Sequence, residues 1–326
     1  MKGSISNLSL FNHPTTVVLI DDNQDYLDAL VAVMPDEENV YKLFSNPHQA
    51  SAYLASYKEE TTNNPLKIDR NDEEDVIVGL EAQSIYCNLY NPKRFNNISA
   101  IIVDYEMYGH TGLDILSKVK DQNIYKILLT GVADEKIAID AFNKGLIDQY
   151  VKKHSFTVVE ELRSLIVNNN VRFFDKKSEH IRQTFGNLFV PSIFKHEKFI
   201  ELVNSIRKEK EIVEYYLCDN TGSLILVDSD KKIGALCVYN EEQMKCMQDI
   251  LAENNISSNT ATNKDDYHIV CYIHGLTSWT ENLLNNVYKA YKLDLDQTYY
   301  YSFIEDIQAT NLNKVVSFSE FKNQAQ

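Results

Sequence analysis

The sequence predicts an N-terminal α/β domain on a parallel sheet, then a helical connector and an α+β domain on an antiparallel sheet. Three observations predict this. The 326 residues are enough for two domains. In the first half, short apolar runs alternate with helical patterns, which is typical of parallel sheets. In the second half, strand-like runs follow one another through short turns, which is typical of antiparallel sheets.

Five apolar runs in the first half are predicted strands, and each is followed by a helical pattern. The strands are residues 17–20, 40–44, 100–103, 126–129 and 149–151, and the helices are 25–34, 47–57, 113–120, 135–144 and 158–167. The strands are apolar without alternation, which indicates burial on both faces. Parallel neighbours need right-handed crossovers, so we expect a parallel sheet covered by helices on both faces.

Polar residues follow the predicted strands at their carboxyl ends, where such sheets bind ligands. They are Asp21, Asp22, Asp104, Thr130 and Lys152. Three converging carboxylates repel one another, and Mg²⁺ held by oxygen ligands relieves that repulsion. A carboxylate can also attack phosphorus when a metal and a lysine offset the negative charges, while a hydroxyl donates to a phosphoryl oxygen.

Four segments resemble the CheY-like receiver domain of two-component response regulators. They are VVLIDDNQDYLDAL at 17–30, AIIVDYEMYGHTGLDIL at 100–116, KILLTGVAD at 126–134 and GLIDQYVKK at 145–153. The resemblance covers about residues 15–170 and implies a flavodoxin-like (βα)5 fold and Mg²⁺ as cofactor. It also implies roles for single residues: Asp104 as phosphoacceptor, Asp21 and Asp22 as the acidic metal-binding pair, the Glu106 main-chain carbonyl as a further metal ligand, Thr130 as switch hydroxyl and Lys152 as the conserved lysine.

Three positions depart from the family pattern. Tyr108 and Lys153 stand where proline is usual, and Gln149 stands three residues before the lysine, in place of the usual switch aromatic. Gln149 puts the usual signalling readout in doubt but leaves the phosphorylation chemistry intact. The adjacent Tyr150 would point to the opposite face of the sheet, because side chains alternate along a strand.

Two segments lie outside the compact α/β pattern. An insertion at 58–97 begins with an acidic stretch that predicts a mobile loop, and residues 76–90 fit an added helix packed on this domain. Whether the insertion gates the site or decorates the domain stays open. An N-terminal extension, 1–14, carries apolar residues at 8, 10 and 11. It could pack on its own sheet or reach a partner subunit.

The second half predicts a connector and an output domain. Residues 171–211 fit two helices, which either transmit dimerisation or pack on the output sheet. The output domain, 212–326, has strand-like runs at 213–218, 223–227, 234–239, 268–273 and 299–304, and helical patterns at 241–253 and 279–291. The turn sequence from Asp219 to Gly222 predicts a hairpin between the first two strands. We therefore expect an antiparallel sheet of about five strands.

Composition restricts the function classes. A net charge of −15, with no basic recognition helix, disfavours nucleic acid as a partner. Sheet tyrosines at 215, 216 and 299–301 keep base stacking open. The output domain could thus bind nucleotide or nucleic acid as a transcriptional regulator, or act as a small-molecule sensor or enzyme. Otherwise the protein is expected to be no enzyme, beyond its own phosphorylation and dephosphorylation.

Compartment and partners follow from similar reasoning. No apolar run is long enough for a membrane helix, and the first residues do not resemble a secretory signal, so we expect a cytoplasmic protein without membrane contact. Five cysteines without a C-x-x-C pair indicate no disulfide framework. The resemblance implies that a sensor histidine kinase or phosphotransfer protein donates to Asp104 and that phosphorylation favours a homodimer. Architecture and composition also resemble quorum-sensing response regulators of Legionella-like bacteria.

Overall fold

A computed structural model describes residues 7–60, 66–70, 76–131, 134–185, 190–253, 267–271, 273, 286–307 and 312–325. The chain folds as two units. The parallel-sheet unit comprises His13–Thr61 and Lys93–Lys177. The antiparallel-sheet unit comprises Met1–Asn12, Thr62–Pro92 and Ser178–Gln326. Within the described part of the chain, no helix is long and apolar enough to cross a membrane.

The strands and helices alternate along the first half as the sequence predicts. In chain order the elements of residues 7–185 are β1 Phe11–Asn12, β2 Thr15–Ile20, α1 Gln24–Val31, β3 Asn39–Phe44, α2 Pro47–Ser56, β4 Leu66–Arg70, β5 Val76–Leu80, α3 Ala82–Tyr86, β6 Ile98–Asp104, β7 Glu106–Met107, β8 His110–Thr111, α4 Gly112–Leu116, β9 Tyr125–Thr130, α5 Glu135–Asn143, β10 Gln149–Lys152 and α6 Val158–Phe185. Those of residues 190–325 are α7 Glu197–Glu209, β11 Ile212–Leu217, β12 Leu224–Asp228, β13 Ile233–Asn240, α8 Glu241–Glu253, β14 Tyr267–Val270, β15 Val287–Asp294, β16 Thr298–Ile304 and α9 Phe318–Ala325.

The five predicted parallel strands form one sheet in the order β10-β9-β6-β2-β3. Helices cover both of its faces. Leu27 of α1 and Leu162 of α6 pack on one face. Ala50 of α2, Ile115 of α4 and Ala138 of α5 pack on the other. The central strands β2 and β6 are buried along their whole length, whereas the edge strands β3 and β10 are partly exposed. The predicted flavodoxin-like fold is confirmed.

Two helices differ in length from the prediction. Helix α4 ends at Leu116 because the next turn closes through i→i−3 hydrogen bonds from residues 118 and 119. Helix α6 continues to Phe185 and joins the predicted closing helix to the first connector helix. No glycine or proline interrupts it. Its central asparagines find partners inside the fold, because Asn169 Nδ2 donates to the Ser99 carbonyl and Asn170 Nδ2 donates to Asn39 Oδ1.

The second sheet is antiparallel, in the order β1-β11-β12-β13-β16-β15-β14. The predicted hairpin joins β11 to β12. At its turn, Asp219 Oδ1 accepts hydrogen bonds from the N–H groups of Thr221, Gly222 and Ser223. Gly222 has a φ of 116°, which side-chain-bearing residues rarely adopt. The predicted α+β class of this region is confirmed.

Among the described residues, this sheet has seven strands rather than about five. Residues 287–291, predicted as helix, belong to β15, while residues 279–285 lie outside the described residues. Apolar residues at 287, 288 and 291 also fit helical spacing, but pairing with β14 on one side and β16 on the other favours the strand. Tyr291 of β15 faces Tyr301 of β16, with ring centroids 5.7 Å apart.

The other added strand comes from the N-terminal arm. Phe11 and Asn12 pair with Tyr216 and Tyr215 of β11, so the arm completes a sheet of its own chain. Leu8, Leu10 and Phe11 are buried. An edge strand exposes unpaired backbone groups, and β1 covers those of β11.

The insertion is predicted as a mobile acidic loop over 58–75, of which residues 61–65 and 71–75 lie outside the described residues, and as a helix over 76–90 packed on the first domain. Instead β4 and β5 form an antiparallel hairpin, with Leu66 opposite Leu80. A short helix, α3, and a 3₁₀ turn, Cys87–Tyr90, follow it. Helix α3 lies against β11, so this part of the insertion belongs to the antiparallel-sheet unit.

Candidate functional site

Three aspartates meet at the carboxyl edge of the parallel sheet. Asp21 follows β2 and Asp104 ends β6, and the residues before them, Ile20 and Val103, are paired in the sheet. Ligand oxygens of Asp21, Asp22 and Asp104 lie within 4.8 Å of one another. Asp21 and Asp104 are buried, whereas Asp22 is exposed. The carboxylates predicted from the strand ends are therefore brought together.

Main-chain N–H groups orient two of these carboxylates. The N–H of Asn23 donates to Asp21 Oδ1 at 3.0 Å. The N–H of Tyr108 donates to Asp22 Oδ2 at 2.9 Å, which brings the loop after β6 over the pocket. The Asn23 side chain caps α1 by accepting from the N–H of Tyr26. The strand–turn–helix sequence thus sets the positions of the acidic side chains.

The lysine in the pocket is Lys153, not the predicted Lys152. Lys153 Nζ lies 2.6 Å from Asp21 Oδ2 and 2.8 Å from Asp104 Oδ2, and its side chain is 15% exposed. Lys152 Nζ instead lies 3.3 Å from Glu135 Oε1, with its side chain 54% exposed. The sequence-based assignment of the site lysine is corrected accordingly.

Strand alternation explains this correction. Asp104 comes two residues after Ile102, and Lys153 comes two residues after Val151. Ile102 and Val151 belong to the same buried cluster on one face of the sheet. Successive side chains along a strand point to opposite faces. The Lys153 side chain therefore lies on the same face of the sheet as that of Asp104, and the Lys152 side chain lies on the opposite face.

The corrected lysine also shifts the predicted aromatic position by one. Three residues before Lys153 is Tyr150, which packs against the cluster under α2, α4 and α5. Gln149 thus no longer occupies the position of the switch aromatic. His154 follows Lys153, in the place where proline is usual.

Thr130 and Glu106 belong to strands that end at or follow the acidic edge of the sheet. Thr130 is buried at the end of β9, next to β6. Its carbonyl accepts a hydrogen bond from the N–H of Lys153 at 3.0 Å. Its hydroxyl has only a long contact of 3.5 Å to the Val151 carbonyl. Glu106 is in β7 with an exposed side chain.

Gly112 is needed for the shape of the loop after β6. A methyl group at this position would collide with the main-chain carbonyl of Asp104. The N–H of Gly112 donates to the carbonyl of Tyr105 at 2.8 Å. Thr111 and Asp114 form a capping box at the start of α4. These contacts close the loop back onto the end of β6.

Burial and charge act against each other on the two central groups. Burial raises the pKa of Asp104, the hydrogen bond and charge of Lys153 oppose that shift, and Asp21 and Asp22 reinforce it. Burial alone would lower the pKa of Lys153, but its hydrogen bond to Asp104 and the two aspartate charges outweigh burial and raise the pKa. Compared with the same groups in water, the pocket favours the protonated, neutral form of Asp104 and the protonated, charged form of Lys153.

The pocket fits a hard divalent cation. Three carboxylates face one ammonium group, so negative charge is in excess. Asp21 Oδ2 is buried, and it shares its partner, the Lys153 ammonium, with Asp104. Buried carboxylates need positive charge to offset their own, and one ammonium group cannot neutralise three of them. Mg²⁺ binds one or two carboxylates together with waters and phosphate oxygens, which suits this donor set.

Comparison with known proteins finds a structural relative along almost the whole chain. No protein-family model and no curated protein sequence matches. The response regulator LqsR of Legionella pneumophila has 29% sequence identity and a TM-score of 0.76, and the match covers 98% of this chain and 96% of LqsR. The resemblance to response regulators is confirmed. The match extends over both the parallel-sheet unit and the antiparallel-sheet unit.

Other solved structures match about half of the chain. An adenylate cyclase from Rhodopirellula baltica has 16% identity and a TM-score of 0.37, and the match covers 52% of this chain and 98% of that one. A response regulator receiver domain protein from Clostridium thermocellum has 19% identity and a TM-score of 0.33, with 50% and 96% covered. At such low TM-scores neither match supports an inference about this chain.

Proposed function

We propose that this chain is the response regulator of a phosphorelay and that Asp104 is its phosphoacceptor. The donor is the phosphohistidine of a sensor histidine kinase or of a phosphotransfer protein. The observation that carries the proposal is the position of Lys153, whose ammonium contacts Asp21 and Asp104 beside Asp22. This arrangement gathers a carboxylate nucleophile, an acidic cation site and a fixed positive charge at one sheet edge.

The reaction moves one phosphoryl group between two residues. A carboxylate oxygen of Asp104 forms a bond to phosphorus while the bond from phosphorus to the donor imidazole breaks, and the leaving imidazole takes up a proton. Asp21, Asp22, Asp104 and the main-chain carbonyl of Glu106 would hold Mg²⁺, which offsets negative charge on the phosphoryl oxygens. Lys153 stabilises the same charge from its place between Asp21 and Asp104.

Phosphorylation then changes the balance of charges at the sheet edge. A phosphoryl group adds about −1.5 to −2 charges at neutral pH. Thr130 can turn its hydroxyl towards the new oxygens, because its present contact to the Val151 carbonyl is long, at 3.5 Å. Tyr150, three residues before Lys153, adjusts its packing. We propose that this shifts the population towards an active conformation.

A homodimer is the proposed readout of that shift. Helix α5 exposes two apolar side chains on one face, Ile139 at 43% and Phe142 at 48%. Residues three apart lie on the same side of a helix. A second copy of the chain would cover this face and bring two antiparallel-sheet units into one assembly. A cytoplasmic quorum-sensing pathway is the proposed setting, in line with the likeness to LqsR.

The phosphoacceptor is tested by intact-mass measurement after incubation with phosphoramidate and Mg²⁺. Phosphoramidate contains the nitrogen–phosphorus bond that a phosphohistidine donor provides. We expect the unmodified sequence to gain one phosphoryl group and Asp104→Asn to gain none. Asp140→Asn is the matched control, because Asp140 is an exposed aspartate of α5 that pairs with Lys144. Equal labelling of Asp104→Asn would exclude Asp104 as the acceptor.

The dimer is tested by light scattering after size exclusion with Mg²⁺ and beryllofluoride, which mimics a phosphoryl group on aspartate. We expect the mass to double in the unmodified sequence but not in Asp104→Asn. Phe142→Ser should weaken the dimer while phosphoramidate labelling continues. A dimer that forms equally well without beryllofluoride would contradict phosphorylation as its trigger.

A further inference from the structure

Two histidines face each other beside the acidic pocket. His48 Nε2 and His110 Nε2 lie 3.1 Å apart, although the two residues are 62 positions apart in the chain. Their ring centroids are 4.4 Å apart and their planes are nearly perpendicular, at 88°. His48 is exposed and His110 is half-buried. Both side chains are therefore at least partly exposed to solvent.

The backbone holds both rings in place. His48 is in the first turn of α2, and its N–H donates to the capping side chain of Asn46 at 2.9 Å. His110 is in the two-residue strand β8 and is paired with Met107 of β7. Gly109, with a φ of 74°, permits the tight turn between these strands. Side chains on such fixed segments need little reordering to bind a ligand.

The separation of the two nitrogens suits a metal ion. Imidazole nitrogen binds Zn²⁺ at about 2.0–2.1 Å, so two ligands at octahedral or tetrahedral angles lie about 2.9–3.4 Å from each other. The observed 3.1 Å falls within that range. Two Nε2 lone pairs cannot face each other at this distance without a proton or a cation. A single shared proton would give a neutral hydrogen bond between the rings, and a cation would bind both.

We propose that His48 and His110 form a binding site for a divalent transition-metal ion of the Zn²⁺ and Ni²⁺ class. Imidazole ligands favour these ions, whereas the neighbouring aspartates favour Mg²⁺. Water fills the remaining coordination positions, because within the described residues no third His, Cys, Asp or Glu ligand joins the pair. The site is thus open, selective by ligand type and separate from the acidic pocket.

A cation at this pair would act on the loop that lines the pocket. His110 and Tyr108 belong to the same turn, and the N–H of Tyr108 donates to Asp22 Oδ2. The cation would strengthen the connection between this turn and α2 that the ring contact now makes. The proposal concerns binding to the two histidines and does not depend on phosphorylation of Asp104.

The test is isothermal titration of the untagged full chain with Ni²⁺, in excess Mg²⁺ to occupy the acidic pocket. We expect His48→Ala and His110→Ala each to weaken binding at least about tenfold, which is a difference of about 1.4 kcal/mol. The double variant should bind no more weakly than the weaker single variant. His180→Ala, an exposed histidine of α6, and Asp104→Asn should bind as the unmodified sequence does.

Three outcomes would overturn the proposal. Equal Ni²⁺ affinity in all variants would place the metal elsewhere, and a loss confined to Asp104→Asn would assign it to the acidic pocket. Circular dichroism checks the fold of each histidine variant, and His48→Gln with His110→Gln replaces any variant that fails. In the unmodified protein, Zn²⁺ should shift the imidazole NMR signals of both residues together. A shift of neither signal would likewise contradict the site.

Discussion

The two ends of the parallel sheet carry buried polar clusters of opposite character. At the amino end, neutral groups bind one another: Thr15 Oγ1 is 2.8 Å from Ser99 Oγ and donates to Asn170 Oδ1 at 3.2 Å. At the carboxyl end, three carboxylates share one lysine. At the amino end the buried Asn169 Oδ1 has no hydrogen-bond donor among the described residues, whereas at the carboxyl end the buried, charged Asp21 Oδ2 lies 2.6 Å from Lys153 Nζ.

This difference separates stability from function. Neutral polar groups that hydrogen-bond to one another stabilise a fold without a bound ligand. Like charges held close together in a buried pocket cost stability, and they persist in proteins where a cation or substrate later relieves them. We therefore expect substitutions at the amino end to change the free energy of unfolding and those at the carboxyl end to change binding.

The largest expected effect on stability is at the amino end. Asn170→Ala removes the acceptor of Thr15 and the donor to Asn39. Leaving buried polar groups unpartnered in this way should lower the free energy of unfolding by about 2–3 kcal/mol. Urea unfolding measures it, and Asn168→Ala, an exposed neighbour in α6, is the control. A loss of Mg²⁺ affinity in Asn170→Ala would contradict the claim that the amino end contributes to stability and not to binding.

The next effect concerns His13, which lies just before β2. Burial lowers the pKa of His13 to about 3. In the unfolded chain its pKa is about 6.5, so unfolding takes up a proton below that pH and stability is lost as pH falls from 6.5 towards 3. Between pH 7 and pH 5 this group should cost about 2 kcal/mol.

Urea unfolding at the two pH values measures this loss. His13→Gln should remove about that much of the pH dependence, and His180→Gln, an exposed control, should leave it unchanged. Equal pH dependence in His13→Gln and the unmodified sequence would mean that His13 takes up its proton in the folded protein too.

The smallest expected change in stability is at the carboxyl end and has the opposite sign. Asp21→Asn removes one of three close negative charges, and Lys153 keeps its contact with Asp104. Without Mg²⁺, the free energy of unfolding should stay equal or rise by about 1 kcal/mol. The affinity for Mg²⁺, measured by isothermal titration calorimetry, should fall at least about tenfold. A large loss of stability would mean that the carboxylates are structural.

The sequence predicted the parallel sheet well because its strands are continuously apolar and end at polar residues. That pattern alone predicts that Asp21, Asp22 and Asp104 meet at the carboxyl edge of the sheet. The lysine was predicted one residue early, since two lysines are adjacent and the family pattern was counted to the first. Alternation could have decided between them, because Lys153 shares the strand face of Val151 and Lys152 does not.

The antiparallel sheet was predicted less completely, for a physical reason. Strand β1 forms only through pairing with β11, about 200 residues later, and two residues carry no periodic signal of their own. In β15, apolar residues at 287, 288 and 291 fit both a helix and a strand, and only the neighbouring strands favour one. The His48–His110 pair is likewise a product of tertiary structure.

The most direct test of the phosphoacceptor site compares the two adjacent lysines. Lys153→Ala and Lys152→Ala are incubated with phosphoramidate and Mg²⁺, and phosphoryl incorporation is followed by intact mass, with circular dichroism as the check on folding. Lys153 contacts Asp104, and Lys152 contacts Glu135. We predict that Lys153→Ala slows incorporation at least about tenfold and that Lys152→Ala stays within about twofold of the unmodified sequence. The reverse order, or equal rates in both variants, would contradict the assignment of Lys153 to the site.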